Sequence, residues 1–302
     1  MRALLIGAVE GTRVALDAIA AAPGWTLAAV ATLPPDRAAR HSDYVDLTDP
    51  AAAAGAQLIH VVEGNGAAFV EQVRAVAPDM TFVIGWSQLC GPALRAAVND
   101  RVVGYHTAAL PRLRGRATIP WTILLDEKIT GSTLFRIDDG VDSGAIMAQR
   151  FFHVAPDETA LTLYAKHMGA LYDMLDDLLP RLAQGEVAGE VQDERLATWA
   201  TRRRPDDGRI DWRRPADDIH RLVRAVGRPY PGAFTEARDA RITIWRTEPW
   251  QDGARHHALP GQVIARDADG FAVCCGDGRA LLIVESDAIK PPAMHSHLGT
   301  AQ

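Results

Sequence analysis

Two stretches of the chain carry residues that could transfer protons. The first, Gly104 to Arg116, follows an apolar run and delivers His106. The second, Asp138 to Gly144, follows the strand-like run Ser132 to Ile137 and delivers Asp142 from a turn that glycines bracket. A carboxylate beside an imidazole fixes its tautomer and stabilises its cation, so the two residues could form an acid/base pair. Because side chains at the carboxyl ends of neighbouring strands meet in an open α/β sheet, we expect His106 and Asp142 to lie together.

Alternating strands and helices are predicted to position this pair. Apolar runs of strand length lie at residues 2–7, 26–32, 57–62, 80–85, 101–103, 131–137 and 146–154, and helical spacing lies at 14–21, 69–77, 93–98, 119–125 and 161–182. The run at 80–85 is nearly all apolar, as a buried parallel strand should be. This order predicts a Rossmann-like, doubly wound, mainly parallel α/β sheet. The turn Val9 to Thr12 lacks the Gly-x-Gly-x-x-Gly fingerprint, so a nicotinamide cofactor has no support.

A second domain is predicted in the last third of the chain. Residues 186–205 are polar and suit a linker. A helix is predicted from Ala216 to Val226, and several short alternating segments with regular turn signals follow it. We therefore expect a catalytic domain over residues 1–185, a linker over 186–205 and a small OB-like β-barrel domain over 206–302.

Composition narrows the class of protein. A 302-residue chain that is 48% hydrophobic can build two cores. The net charge of −6, from 38 acidic and 32 basic side chains, disfavours a nucleic-acid partner, and the loop Asp36 to Ala54 is acidic. We interpret Arg202 to Arg204, which lie beside Asp206 and Asp207, as part of a solvated linker.

Location and metal content are also constrained. The chain has no apolar run long enough for a membrane span, and Met1 to Gly7 suits a first strand better than a signal peptide, so we expect a cytoplasmic protein. Its three cysteines, Cys90, Cys274 and Cys275, are too few for a disulfide framework and lack metal-ligand spacing. No metal is expected. Apolar helix surface could support a homodimer.

The two polar stretches together resemble a known family. His106-x-x-x-Leu-Pro-x-x-Arg-Gly, followed by Asp138-x-Gly-x-Asp-Ser-Gly, is similar to the folate-dependent formyltransferases, which include methionyl-tRNA formyltransferase and small-molecule amine N-formyltransferases. The segments Asp207 to Trp212 and Pro229 to Gly232 resemble the carboxyl-terminal barrel of that family. This resemblance implies N10-formyltetrahydrofolate as co-substrate. One departure is clear: members usually carry Asn two residues before the histidine, where this chain has Gly104.

The resemblance also implies residue roles. His106 would donate to the formyl oxyanion, and Asp142 would hold His106 and help accept the amine proton. Gln88 is our hypothesis for a substitute oxyanion donor. Folate contacts are expected at Trp86, Ser87, Gln88, Leu89, Cys90, Asp138, Asp139, Gly140, Val141 and Asp142, and substrate contacts at Gly104, Tyr105, Thr107, Arg114 and Arg116. Asp138 and Asp139 could instead only stabilise their turn, and the two arginines could simply be solvated.

Three functions remain open at this point. The leading prediction is N-formylation of a small-molecule amine, such as an amino sugar or a hydroxyornithine-like amino acid of secondary metabolism, because the loop Asp36 to Ala54 is acidic. Methionyl-tRNA formyltransferase is the first alternative, favoured by the two-domain plan. A folate-binding protein or a formyl-folate hydrolase without transfer activity is the second, because Gly104 offers no oxyanion donor.

Overall fold

The computed structural model describes residues 1–40, 43–186, 188–237, 240–267 and 270–299. Residues 41 and 42 of the acidic loop therefore lie outside the described residues. The chain divides into two compact units, the first made of Met1–Thr118, Ile129–His153 and Tyr164–Thr201, the second of Ile119–Lys128, Val154–Leu163 and Arg202–Gln302. The domain boundaries at 185 and 205 stay predictions. In the described ranges, no helix combines the length and the apolar character needed to cross a membrane.

The secondary structure follows the predicted order closely, with two additional short strands, at residues 114–115 and 199–200, that the sequence does not predict. The helices are α1 (Glu10–Ala21), α2 (Thr48–Ala53), α3 (Ala67–Val76), α4 (Pro92–Ala97), α5 (Thr118–Leu124), α6 (Ala160–Ala183) and α7 (Ala216–Val226). The strands are β1 (Arg2–Ile6), β2 (Thr26–Thr32), β3 (Gln57–His60), β4 (Met80–Val83), β5 (Val102–His106), β6 (Arg114–Gly115), β7 (Ile129–Arg136), β8 (Ile146–His153), β9 (Trp199–Ala200), β10 (Ala233–Ala237), β11 (Ala240–Trp250), β12 (Val263–Arg266), β13 (Phe271–Cys274) and β14 (Ala280–Ser286).

Seven strands form the central sheet of the first unit, in the order β3-β2-β1-β4-β5-β7-β8. The first five run parallel, which confirms the prediction of a mainly parallel α/β sheet. The last two strands alternate in direction, because β7 pairs antiparallel with β5 and β8 antiparallel with β7.

This antiparallel step corrects our reason for expecting His106 beside Asp142. His106 pairs with Thr133, whereas Val103 at the start of β5 pairs with Arg136 at the end of β7. The loop that carries Asp142 therefore leaves β7 at the amino end of β5, not at its carboxyl end. The two side chains are neighbours only because this loop turns back toward His106.

Helix α6 supplies much of the apolar core on one face of the sheet. Its residues Leu171 and Leu175 are fully buried with β-strand residues such as Phe82. Trp25 packs edge-on against Phe82 at 5.8 Å between ring centroids, and its indole N–H donates to the Leu179 carbonyl at 3.0 Å. The amphipathic period predicted for residues 161–182 therefore matches a helix whose inner face is buried.

The second unit contains α7 and a five-stranded antiparallel sheet in the order β10-β11-β14-β13-β12. Trp212 is buried, and its indole N–H donates to Thr235 Oγ1 at 3.0 Å. Each end strand pairs with one neighbour, β10 with β11 and β12 with β13, and in the described part of the chain β10 and β12 do not pair with each other. Closure into an OB-like barrel therefore stays a prediction.

Core packing of α6 gives a first testable prediction. Leu175→Ala removes a fully buried side chain and should lower the free energy of unfolding by about 2–5 kcal/mol, because a cavity remains. Leu161→Ala, at a position of the same helix that is 56% exposed, should change it by less than about 0.5 kcal/mol. Urea denaturation followed by circular dichroism measures both, and equal effects would contradict this packing.

Candidate active site

A short segment that we call the strap, residues 111–116, holds both members of the predicted pair through its backbone. The Leu113 carbonyl lies 2.7 Å from His106 Nε2, and the Gly115 N–H donates to Asp142 Oδ2 at 2.8 Å. Leu113 has φ +55° and Gly115 has φ +106°. A Cβ at Gly115 would lie 2.4 Å from the Ala200 carbonyl oxygen, so the strap requires glycine there.

The contact with the strap fixes which nitrogen of His106 carries hydrogen. A carbonyl oxygen can only accept, so Nε2 is the donor. In the neutral ring Nδ1 then presents its lone pair, and it lies 3.6 Å from Asp142 Oδ2. The ring can therefore take up a proton at Nδ1, where the carboxylate stabilises the cation. Donation from Nε2 to a formyl oxygen would require the bond to Leu113 to break.

Asp142 is held in an unusual backbone conformation. Its φ is +53°, in the left-handed region that costs a residue other than glycine about 1–2 kcal/mol, although Asp and Asn enter it more readily than most. The bond from Gly115 fixes one carboxylate oxygen. The side chain is 20% exposed, against 9% for His106, so Asp142 is the member of the pair more open to an incoming substrate.

The space beside Gly104 is filled by apolar side chains. A Cβ on Gly104 would lie 2.9 Å from two ring carbons of Phe135 and 3.0 Å from Ile137 Cγ1. Gly104 lies two residues before His106 on β5, and alternate residues of a strand face the same side. Phe135 therefore occupies the room that a longer side chain at position 104 would need.

The two arginines of the strap differ in their surroundings. Arg114 is 3% exposed and bonds to the side chains of Gln192 and Glu194. Its bond also lowers the pKa of the Glu194 carboxyl. Arg116 is exposed, and its guanidinium donates to the Ser87 carbonyl. To bind substrate, Arg114 would have to give up its bonds to Gln192 and Glu194, whereas Arg116 lies at the surface. Both roles stay predictions.

The turn after β4, expected to contact folate, is tied to the loop after β3. Gln88 donates through Nε2 to the Val62 carbonyl at 2.7 Å and accepts through Oε1 from the Gly64 N–H at 2.9 Å. Asn65, which sequence analysis did not single out, donates to the Leu89 carbonyl at 2.9 Å and accepts from the Gly91 N–H at 2.7 Å. Gln88 therefore has a structural task, and its role as oxyanion donor stays a prediction.

Further features of this turn suit an apolar, planar ligand. Leu89 is 69% exposed, and Trp86 is half-buried.

Burial raises the pKa of the Cys90 thiol to about 11, so this cysteine is protonated at neutral pH and is not a nucleophile.

The loop that carries Asp142 is braced by its own aspartates. Asp138 Oδ1 accepts from the Gly140 N–H at 3.0 Å and from Ser143 Oγ at 2.9 Å, and Asp139 pairs with Arg95 of α4. Both aspartates thus stabilise the loop, as one of the two interpretations of the sequence proposed. Val141 is 47% exposed at its tip.

Tyr105 and Thr107, the remaining candidates for substrate contact, flank His106. The Tyr105 hydroxyl donates to the His167 carbonyl at 2.9 Å and lies 3.0 Å from Ser132 Oγ, and burial raises its pKa. Tyr105 therefore faces α6, on the side of β5 away from His106. Thr107 Oγ1 lies 2.5 Å from Thr118 Oγ1.

Among the described residues no group of three His, Cys, Asp or Glu side chains could hold a metal ion.

Comparisons with known proteins agree on one family. A family model described as formyl transferase matches residues 24–175, and one described as formyl transferase, C-terminal domain, matches residues 203–297. The fold is similar to an N-formyltransferase from Helicobacter canadensis, solved with folinic acid and dTDP-3-aminofucose, at a TM-score of 0.69, 17% identity and coverage of 93% of this chain and 98% of the other. WlaRD, a sugar 3N-formyl transferase, is similar at a TM-score of 0.67 and 17% identity, and the match covers 93% of this chain and 96% of WlaRD. Methionyl-tRNA formyltransferase from Clostridium thermocellum is similar at a TM-score of 0.59 and 18% identity, and the match covers 82% of this chain and 93% of that enzyme.

The packing at Gly104 yields a second prediction. Gly104→Ala should lower the free energy of unfolding by about 1–3 kcal/mol, because the new methyl group overlaps the Phe135 ring. Gly169→Ala in α6 is the matched control: nothing lies within 4 Å of its added Cβ, so it should stabilise by about 0.5–1 kcal/mol. Urea titration of both variants gives the comparison.

The physical origin of the stability loss expected for Gly104→Ala can be tested separately. In a Phe135→Leu background the same substitution should cost at least about 0.5 kcal/mol less, because residues in contact show coupling of this size. An identical cost in both backgrounds would show that Phe135 does not fill the space beside position 104.

Proposed function

Because this chain belongs to the formyl transferase family, we propose that it transfers a formyl group from N10-formyltetrahydrofolate to the amine of a small molecule. The observation that carries the proposal is the pair of His106 and Asp142, which the strap holds with Nδ1 and Oδ2 3.6 Å apart. Formyl transfer to an amine needs a neutral nitrogen and an acceptor for the proton that this nitrogen loses. A carboxylate backed by an imidazole supplies that acceptor.

The geometry supports a division of labour within the pair. Asp142 Oδ2 is engaged by the Gly115 N–H, so we assign the other carboxylate oxygen to the amine proton. The proton then resides on the Asp142 carboxyl or on Nδ1 of His106, whose Nε2 donates to Leu113. From this pair the proton would be returned to N10 as tetrahydrofolate leaves, so that the transfer balances. The ring is mostly buried, so the two groups interact more strongly than they would in water.

The turn from Trp86 to Cys90 and the loop from Asp138 to Asp142 would hold the folate. Leu89 and Val141 give these two segments exposed apolar surface, which suits an aromatic ring system. When bound, the folate supplies the formyl group. Arg116 of the strap donates to the Ser87 carbonyl of the turn. This bond would help to fix the distance between the proton acceptor and the turn that holds the folate.

A small amine fits the charge of the chain better than tRNA. The net charge is −6. Asp36, Asp43 and Asp46 lie between β2 and α2, and Asp49 lies in the first turn of α2, where these carboxylates would repel a phosphate backbone. The similar structure solved with dTDP-3-aminofucose supports an amino sugar, and a hydroxyornithine-like amino acid remains a second small-molecule candidate. Methionyl-tRNA is the competing acceptor, because a methionyl-tRNA formyltransferase shares the fold.

Asp142→Asn tests the proposed proton acceptor. Asn also tolerates a positive φ, so the loop should keep its conformation while the base is lost. We expect kcat to fall about 100- to 10,000-fold, with the KM for the folate changed far less. His106→Ala should give a similar loss. The matched control is Asp252→Asn, which removes an exposed carboxylate of the second unit and should leave kcat unchanged.

The molecule that accepts the formyl group can be identified by a screen that follows release of tetrahydrofolate. The screen offers methionyl-tRNA, uncharged tRNA, a nucleotide-linked amino sugar and hydroxyornithine with N10-formyltetrahydrofolate. Release that depends on one small amine supports the proposal and names the acceptor. Release only with methionyl-tRNA would replace it with the tRNA activity. Release without any amine would indicate a hydrolase, and binding without release a folate-binding protein.

A further inference from the structure

A segment of the first unit connects the strap to the loop that carries Asp142. We call residues 190–200 the clamp. Its Glu190 exchanges two backbone hydrogen bonds with Ile146 of β8, at 2.7 and 2.8 Å. At its other end the carbonyls of Thr198 and Ala200 accept from the N–H groups of Arg114 and Arg116, at 2.9 and 3.0 Å. The clamp therefore fastens both segments that hold the catalytic pair.

One side chain of the clamp, Gln192, reaches the loop of Asp142 directly. It is 5% exposed, and its Nε2 donates to the Asp142 carbonyl at 2.8 Å and to the Gly144 carbonyl at 2.7 Å. Its Oε1 accepts from Arg114 Nε at 3.1 Å and Nη2 at 2.8 Å. Both donors and both acceptor positions of the amide are thus used.

Arg114 completes the link. Its guanidinium is buried between Gln192 and the carboxylate of Glu194, with bonds of 2.9 and 2.6 Å to the latter. Its neighbours Leu113 and Gly115 are the strap residues that bond to His106 and Asp142. Gln192 therefore links the backbone carbonyl of Asp142 to the side chain of Arg114 in the strap. Asp142 is thus held at two places, at its carbonyl by Gln192 and at its carboxylate by Gly115.

We infer that Gln192 is a positioning residue that sets the orientation of the Asp142 carboxylate toward His106. This inference rests on the proposed function for its effect on catalysis, although the orientation itself can be measured without any turnover. Asp142 needs two anchors because its φ of +53° is unfavourable for a residue with a side chain. Without the Gln192 amide, Asp142 would keep the Gly115 contact at its carboxylate but lose the bond at its carbonyl.

Two variants and a control test the inference. Gln192→Glu keeps an acceptor for Arg114, so it should fold, but it cannot donate to the carbonyls of Asp142 and Gly144. Gln192→Met removes every polar contact at similar length. Gln184→Met, at an exposed position just after α6, is the matched control. Circular dichroism first establishes which variants are folded.

The kinetic readout separates positioning from substrate binding. Gln192→Glu should lower kcat about 10- to 100-fold, because a displacement of about 1 Å of a catalytic group costs on the order of 100-fold. The KM for N10-formyltetrahydrofolate should change less than three-fold. Wild-type kcat in Gln192→Glu, or a change confined to KM, would overturn the inference.

A spectroscopic readout keeps the test independent of the reaction. The chain has ten histidines, and the ¹⁵N signals of the His106 ring can be assigned by comparison with His106→Ala. Both Gln192 variants should shift the His106 ring signals, and Gln184→Met should not. If the wild-type protein transfers no formyl group but these shifts occur, the proposed function fails and the positioning role stands. Unchanged His106 signals in a folded Gln192→Glu protein would overturn the positioning role.

Discussion

The hydrogen bonds from the strap backbone to His106 and Asp142 are the constraint on which the site depends. His106 donates through Nε2 to the Leu113 carbonyl, and Asp142 accepts from the Gly115 N–H two residues later. Because one short backbone segment serves both groups, their separation is set by the geometry of the strap. That geometry requires positive φ values at both strap positions, and glycine at one of them. In the proposed function, the strap thereby holds the proton acceptor and its partner in place before any substrate binds.

The charged and amide side chains around this backbone act mainly as supports. Arg114 lies in a sequence position that suggests substrate binding, yet it is buried against Gln192 and Glu194. Asp138 and Asp139 brace their own loop. A buried polar network such as that of Arg114 and Gln192 specifies one arrangement only when every partner is present. Arg116 of the strap, unlike Arg114, is exposed and therefore accessible to a ligand.

The apolar surroundings of Gly104 give the site a distinct character. Phe135 and Ile137 fill the room beside it, so the strand cannot present an amide toward the formyl group from this position. In the proposed reaction, the charge that develops on the formyl oxygen would have to be stabilised by other groups. In the proposed reaction, proton removal from the amine by Asp142 and His106 would then carry more of the rate enhancement.

The sequence by itself determined the order of helices and strands, the mainly parallel sheet and the identity of the His106 and Asp142 pair. The order of elements and the type of sheet depend on local periodicity and on turn residues, which the chain displays without reference to distant contacts. The pair was identified from its positions after two strands and from the resemblance to the formyltransferase motifs. Only the tertiary structure decided that β7 runs antiparallel to β5 and that Gln192 reaches the loop of Asp142. Arg114 and Gln192 are 78 residues apart in the chain. A polar run that serves as a clamp looks the same in sequence as a solvated linker, because the difference lies in partners that only folding brings into contact.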